Sequence, residues 1–218
     1  MRKRKLKGFG HEEKIALGLV TVMHLAGAGL LMFAKGGYYS LTLDMVPIQL
    51  IFTTLIVLKY QKVWGTGLLI FLVSTFCIGF LAEAIGVNTG WPFGNYQYGA
   101  VLGIQFLNTP LIIGLNWFLL AYLSGNVSNM LKTGRLMKIV AGVFLMVAFD
   151  FFMEPVAMKH DFWTWSDGFI PFQNYLGWAG VSFFILSLFH LGSWKKENPS
   201  ALWIFLIMLG FFMVQNIF

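Results

Sequence analysis

Charge is the scarcest commodity in this sequence. Only 11% of its 218 residues are charged and 58% are hydrophobic, whereas a soluble domain carries about a quarter charged residues. Such a chain aggregates in water, so the expected solvent is lipid. Cysteine is nearly absent. The single Cys77 excludes an intramolecular disulfide, and its place inside an apolar run reads as a small core residue. The histidines His11, His24, His160 and His190 are scattered, with no His-rich motif and no H-E-x-x-H pair, so no metal centre is expected. His24 reads as a hydrogen-bonder between helices. Residues 200–217 contain no lysine, which removes a retinal Schiff base in a last helix. Asp150-x-x-x-Glu154 has no second Asp-rich motif to complete a Mg²⁺–diphosphate site, which argues against a prenyltransferase.

Long apolar runs are abundant. A spanning helix needs roughly 20 mostly apolar residues, and seven segments qualify: 15–34, 40–58, 66–87, 101–123, 136–156, 174–192 and 200–217. The expected fold is all-α, a polytopic membrane bundle of about seven transmembrane helices forming one integral membrane domain over 1–218. Short connections leave no room for a soluble domain. The basic residues set the orientation, because Lys and Arg concentrate in cytoplasmic loops. Arg2, Lys3, Arg4, Lys5, Lys7 and Lys14 lie in the N-terminal segment 1–14, and alternate loops add Lys59, Lys62, Lys132, Arg135, Lys138, Lys195 and Lys196. Only Lys35 and Lys159 fall on the other side. The N-terminus is therefore expected in the cytoplasm and the C-terminus outside. The net charge of +6 is a topology signal and calls for no nucleic acid. The basic start and apolar run resemble a signal peptide, but about 20 apolar residues exceed the usual h-region of about 7–15, so a retained first helix is expected.

Ionisable groups inside a membrane are costly and mark functional positions. In this topology Glu83, Asp150 and Glu154 lie near the outer ends of their helices, and Asp44 and Asn108 in outer halves. The polar-aromatic loops 88–100 and 157–173 join them there. Asp150 and Glu154 are four apart and share a helix face. Two carboxylates in one buried site do not both ionise at low cost, so one of them can hold a proton at neutral pH. Pro155 is expected to end or kink the helix at Glu154. A purely structural role, with these acids paired to Asn, Tyr or Trp groups, is the plain alternative, as is an interfacial aromatic belt for Trp91, Tyr96 and Tyr98. Pro92-Phe93-Gly94-Asn95-Tyr96 echoes Pro171-Phe172-Gln173-Asn174-Tyr175, which hints at parallel repeats.

Glu83-x-x-x-x-Asn88-Thr89-Gly90-Trp91-Pro92-Phe93-Gly94-x-Tyr96-x-Tyr98, the stretch Asn108 to Trp117, and Asp150-x-x-x-Glu154-Pro155-x-Ala157 with Trp163-x-Trp165 resemble the CruF-type carotenoid hydratases, bacterial membrane proteins of carotenoid biosynthesis. The resemblance covers about 80–180. It implies a multi-pass protein of the bacterial cytoplasmic membrane that adds water across the terminal double bond of an acyclic carotenoid end. Lycopene or a partly cyclised relative such as γ-carotene would be the lipophilic substrate, and a tertiary alcohol the product.

The residues suit that chemistry. Hydration of a trisubstituted alkene starts with a proton delivered to carbon, which a buried carboxylic acid can supply. Aromatic faces stabilise the resulting cation by roughly 0.5–2 kcal/mol per contact. A carboxylate or amide then guides water. No redox cofactor, nucleotide or metal is required. Asp150 and Glu154 are expected to deliver the proton, and Glu83 with Asn88 and Asn108 to orient water or the partner acid. Trp91, Tyr96, Tyr98, Trp163 and Trp165 would line the pocket. A lycopene-cyclase-like isomerase shares the cation but closes a ring, and a transporter is the rival from another class.

Overall fold

The computed structural model describes residues 9–218. Most of the basic N-terminal segment, including Arg2, Lys3, Arg4, Lys5 and Lys7, lies outside the described residues. Within them the chain is mostly helical: α1 (His11–Phe33), α2 (Gly37–Asp44), α3 (Val46–Lys59), α4 (Thr66–Thr89), α5 (Ile112–Asn129), α6 (Arg135–Lys159), α7 (Phe172–Leu191) and α8 (Ala201–Gln215). Four short strands, β1 (Tyr96–Tyr98), β2 (Gln105–Phe106), β3 (Thr109–Pro110) and β4 (Trp163–Trp165), occupy the loops. Only Met45 separates α2 from α3, where Pro47 in the first turn of α3 has no N–H to continue the ladder. Exposed Asp44 closes α2. Among the described residues, five helical stretches are long and apolar enough to cross a membrane: α1, α2 with α3, α4, α6 and α7. Helix α8 is apolar but has 15 residues.

The fourth apolar segment departs from expectation. Residues 101–111 are not helical. Strands β2 and β3 pair antiparallel, Gln105 opposite Pro110 and Phe106 opposite Thr109. Leu107 and Asn108 form the turn with φ of 53° and 60°. Positive φ at both central residues is the two-residue hairpin geometry, and Asn tolerates it. Asn108 therefore sits at the tip of a hairpin instead of in the outer half of a spanning helix. Helix α6 does not end at Glu154, one of the two outcomes expected from Pro155. Helix α6 runs through Pro155 to Lys159, with the Pro155 ring exposed on the outer face. The two echoing pentapeptides differ locally too: Asn95 follows a turn into β1, whereas Asn174 lies in the first turn of α7.

Helix α5 is the hub. Every side chain from Trp117 to Leu123 is fully buried, because α3, α4, α6, α7 and α8 all pack against it. Shielded from lipid, it carries Asn116, Tyr122, Ser124 and Asn126 without exposing them to hydrocarbon. The surrounding helices turn Leu19, Val22, Leu25, Leu69, Val73, Phe144, Phe151 and Phe183 outward. Such an exterior suits a multi-pass membrane protein. Cys77 belongs to that exposed face and not to the core predicted for it. Helices α4 and α5 approach closely at Gly79, where a Cβ would lie 2.4 Å from the Trp117 Cβ.

Hydrogen bonds lock both ends of the bundle. At the end bearing the start of α1, Gln61 Nε2 donates to the carbonyls of Val63 (3.0 Å) and Lys195 (2.9 Å), and Gln61 Oε1 accepts from the Tyr122 hydroxyl. Asn198 Nδ2 donates to the Val57 carbonyl at 2.7 Å, and the Ser200 hydroxyl donates to Glu13. His190, paired with Ser128 Oγ at 3.0 Å, belongs to this end. At the other end β1 and β4 pair antiparallel, Tyr96 opposite Trp165 and Tyr98 opposite Trp163. This ties the loop after α4 to the loop after α6. The Gly99 N–H continues the ladder to the Phe162 carbonyl at 2.9 Å, and a Cβ on Gly99 would lie 2.0 Å from the Asp161 carbonyl oxygen. Gly99→Val is expected to force the strands apart and destabilise the protein by about 1–3 kcal/mol. A lowered melting temperature in detergent checks this; an unchanged one means the ladder does not depend on the close approach.

Tyr39 and His160 clasp the same end. The Tyr39 hydroxyl and His160 Nδ1 are 2.7 Å apart, joining α2 to the residue that follows α6. Burial, then the nearby Lys159 charge, holds the His160 pKa below the ordinary value of 6.5. The unfolded imidazole binds its proton at higher pH than the folded one. The stability contribution of the neutral ring is therefore complete above pH 6.5 and declines as pH falls below it. The melting temperature is expected to be lower at acidic than at neutral pH, and His160→Gln to reduce that difference. An identical pH dependence in the variant would assign it to other groups.

Candidate functional site

Three carboxylates meet between α4 and α6, all buried: Glu83 is 6% exposed, Glu154 2% and Asp150 fully enclosed. Glu83 Oε2 accepts hydrogen bonds from the hydroxyls of Tyr96 (2.5 Å) and Tyr98 (2.8 Å), and Oε1 accepts one from Trp117 Nε1 at 3.0 Å. Glu154 Oε2 accepts from two indoles, Trp163 Nε1 at 2.9 Å and Trp165 Nε1 at 2.8 Å. The Asn174 amide bridges the remaining pair, donating to Glu154 Oε1 (3.1 Å) and to Asp150 Oδ2 (2.8 Å). Asp150 Oδ1 has no hydrogen-bond partner among the described residues. An acid with a bare oxygen beside a neighbouring carboxylate is arranged to share a proton with that neighbour, since two anions in so dry a site repel strongly.

The strand pairing makes this convergence. Side chains alternate across a strand, so Tyr96, Tyr98, Trp163 and Trp165 turn inward while Gln97 and Thr164 turn out. The four inward rings interlock, with Tyr96 and Trp165 centroids 5.0 Å apart and Tyr98 and Trp163 6.0 Å apart. Burial, reinforced by the negative charge of Glu83, pushes both phenols well above their usual pKa. Tyr96 and Tyr98 therefore remain neutral donors at any working pH. Trp117 and Trp178 stack behind them at 4.2 Å.

Two cavities adjoin. The smaller, about 20 Å³, is bounded by Glu83 and Glu154, by Tyr96, Tyr98, Trp117, Trp163, Trp165 and Trp178, and by Asn116 and Asn174. That space accommodates about one water. The larger, about 110 Å³, is lined mainly by apolar side chains, with Gln49, Thr53 and Asn116 among them, and lies among α1, α3, α5, α6 and α8. His24 lines it. Its Nδ1 lies 2.8 Å from the Val20 carbonyl, within its own helix, so the expected helix-to-helix bond is not formed by that nitrogen.

The structure thus gathers Glu83, Asp150, Glu154, Tyr96, Tyr98, Trp163 and Trp165. Asp150 sits behind Glu154 and does not border the small cavity. Asn88, Trp91 and Asn108 are elsewhere. Asn108 Nδ2 donates to Asn88 Oδ1 at 2.9 Å, and Asn88 Nδ2 donates to the Leu107 carbonyl at 3.0 Å, which fastens the hairpin to the end of α4. Trp91 is 69% exposed. Sequence reasoning missed Asn116, Trp117, Asn174 and Trp178 as site residues. A signal existed for three of them: Trp117 ends one of the stretches that carried the family resemblance, Trp178 lies within the span of about 80–180 that it covers, and Asn174 lies in the second pentapeptide.

A family model described as carotenoid biosynthesis protein matches residues 44–218. A bisanhydrobacterioruberin hydratase of Haloarcula japonica is 28% identical over 195 residues, covering 80% of this chain and 64% of that protein. The chain therefore spans less than two thirds of the length of the curated relative it matches. No solved structure matches it.

Proposed function

Since the chain belongs to the carotenoid biosynthesis protein family, within which it resembles the CruF-type hydratases, we propose that it hydrates the terminal double bond of an acyclic carotenoid end group to a tertiary alcohol. The observation that carries this reading is the water-sized cavity held between two carboxylates, Glu83 and Glu154, inside a wall of indoles and phenols. The relative named as a hydratase supports the reaction type. Lycopene or a γ-carotene-like molecule is the proposed substrate. The distribution of basic residues supports an outward-facing site in a bacterial cytoplasmic membrane.

The Asp150–Glu154 pair delivers the proton. Asn174 holds the two carboxyl groups together, and Glu154 is the member that borders the cavity. Protonation of the less substituted alkene carbon leaves a tertiary cation, which the faces of Trp163, Trp165 and Trp178 and the charge of Glu83 stabilise. Water attacks that carbon and gives a proton to Glu83, whose two oxygens accept hydrogen bonds from Tyr96, Tyr98 and Trp117. The steps add one water with no change of oxidation state, so they call for no redox cofactor or metal. A cyclase would use the same acid and cation but needs water excluded, and the small polar cavity favours hydration over ring closure.

Expression in a bacterial host that accumulates lycopene, followed by chromatography and mass spectrometry of the pigments, tests the reading. The expected product is more polar and heavier by one or two waters. A pigment of unchanged mass with an altered chromophore would replace hydration by cyclisation. Unchanged lycopene and unchanged γ-carotene, with the protein in the membrane, would remove the carotenoid hydratase reading.

A further inference from the structure

The two cavities share Ile113, Asn116, Met153 and Trp163, so these residues form the partition between an apolar chamber and a carboxylate chamber. Trp163 has its N–H committed to Glu154, and Ile113 and Met153 have no hydrogen-bonding group to offer beyond a thioether. Asn116 alone brings a free amide to the partition: among the described residues no hydrogen bond engages its side chain. It is adjacent to Trp117, whose indole reaches Glu83. An unengaged amide between a greasy cavity and a water-sized polar one is costly unless something polar occupies the junction.

The volumes are matched to different guests. A dry apolar cavity of about 150 Å³ holds a six-carbon ring. The chamber of about 110 Å³ therefore takes about one branched five-carbon unit, with the remaining units of the chain outside it. Met153, unbranched and adaptable, is the part of the partition that can yield.

We propose that Asn116 is a positioning residue for water capture, acting on an isoprenoid chain end seated in the apolar chamber; this rests on the hydratase reading above. The alkene of the seated end takes the proton of the Asp150–Glu154 pair. Its π electrons become the new C–H bond, and a tertiary cation remains at the branched carbon. The Asn116 carbonyl accepts a hydrogen bond from the water and aims its lone pair at that carbon. The C–O bond forms, and the second water proton passes to Glu83. Without the amide, protonation still occurs, but the cation gives a neighbouring proton back to the Glu154 carboxylate and its C–H electrons re-form an alkene.

Asn116→Leu, close in size, therefore changes the partition of products. In membranes assayed in deuterated water, wild-type protein is expected to give hydrated carotenoid. The variant is expected to give at least about tenfold less of it relative to deuterium-labelled carotenoid without added water, a shift of about 1.4 kcal/mol between the two exits from one cation. Asn116→Gln, which keeps an amide, restores part of the hydration. Asn116→Ala carries the same expectation and only removes atoms, so it serves if the leucine variant does not insert. Leu50→Trp, filling the apolar chamber, is expected to stop both hydration and labelling. An unchanged ratio in Asn116→Leu and Asn116→Ala, or loss of both products together, overturns the role of Asn116. Unchanged hydration in Leu50→Trp overturns the seat. Each of these leaves the hydratase reading intact, whereas wild-type protein that neither hydrates nor labels overturns that reading and this inference with it.

Discussion

Glu154→Gln is expected to give a protein that folds and inserts normally but hydrates its carotenoid at least about 100-fold more slowly, the usual contribution of a positioned general acid. The substitution is nearly isosteric, and its chemistry can be followed atom by atom. The glutamine oxygen can take the place of Glu154 Oε2 and accept from the Trp163 and Trp165 indoles, which stand at 2.9 and 2.8 Å. The new NH₂ then stands where Oε1 accepted from Asn174 Nδ2 at 3.1 Å, so Asn174 loses that acceptor and keeps its bond to Asp150 Oδ2, while the unpartnered Asp150 Oδ1 is the acceptor open to the NH₂. The packing of β4 on α6 is thereby kept, and the transferable proton is lost together with one hydrogen bond from Asn174. Asp150→Asn makes the contrasting case. Asp150 does not border the cavity, so its replacement removes the partner that shares the proton but leaves the delivering group in place, and a smaller loss is expected. Pigment analysis of the two variants, normalised to protein in the membrane, ranks them. Wild-type rates in Glu154→Gln would take the acid role away from this residue, and a larger loss in Asp150→Asn than in Glu154→Gln would reverse their order.

Much of this arrangement is legible in the chain because lipid imposes simple demands. The lengths of the apolar runs place α1, α4, α6 and α7, and the spacing of Asp150 and Glu154 puts both on one face of α6. Other parts are hidden for identifiable reasons. Residues 101–111 hold Val101, Leu102, Ile104, Phe106 and Leu107, so a hydropathy average reads them as helix. The turn at Leu107 and Asn108 is a matter of backbone φ, which composition does not report. Pro155 looks like a helix terminator, yet its ring faces outward on an otherwise continuous α6. Asn88 and Trp91 share a motif with Glu83, but adjacency in sequence does not set direction: the β1 pleat turns Tyr96 and Tyr98 inward while Trp91 stays at the surface. Asn116 was obscured by the burial of α5 on every side, whereas Trp117 at least ends a stretch of the family resemblance. A helix surrounded by five others has no periodic polar stripe, so no pattern along α5 singles out Asn116 as a residue bordering the carboxylate cavity.

Glu83→Leu is expected to cost stability as well as activity, by about 3–5 kcal/mol, because three buried neutral donors lose their shared acceptor. Glu83 is the shared acceptor for the Tyr96 and Tyr98 hydroxyls and the Trp117 indole. Leucine leaves those buried donors short of an acceptor at about 1–3 kcal/mol each, although Tyr96 retains a longer contact of 3.3 Å to the Glu83 carbonyl. A loss of that size is a large share of the about 5–15 kcal/mol by which proteins of this kind are stable. Glu83→Gln keeps one acceptor oxygen and is expected to recover most of the stability while still failing to take the proton from water. The distinction separates the two roles of the residue. Melting followed by tryptophan fluorescence in detergent measures stability, and pigment mass measures activity. The decisive comparison is the double variant Glu83→Leu with Tyr98→Phe. Deleting one stranded hydroxyl removes its desolvation penalty, so the double variant is expected to melt higher than Glu83→Leu alone, although Tyr98→Phe by itself lowers the melting temperature of the wild type. That reversal of sign arises only if Tyr98 and Glu83 stabilise the fold through each other. Simple additivity of the two changes would mean that the phenols find other acceptors and that the carboxylate is held for catalysis alone.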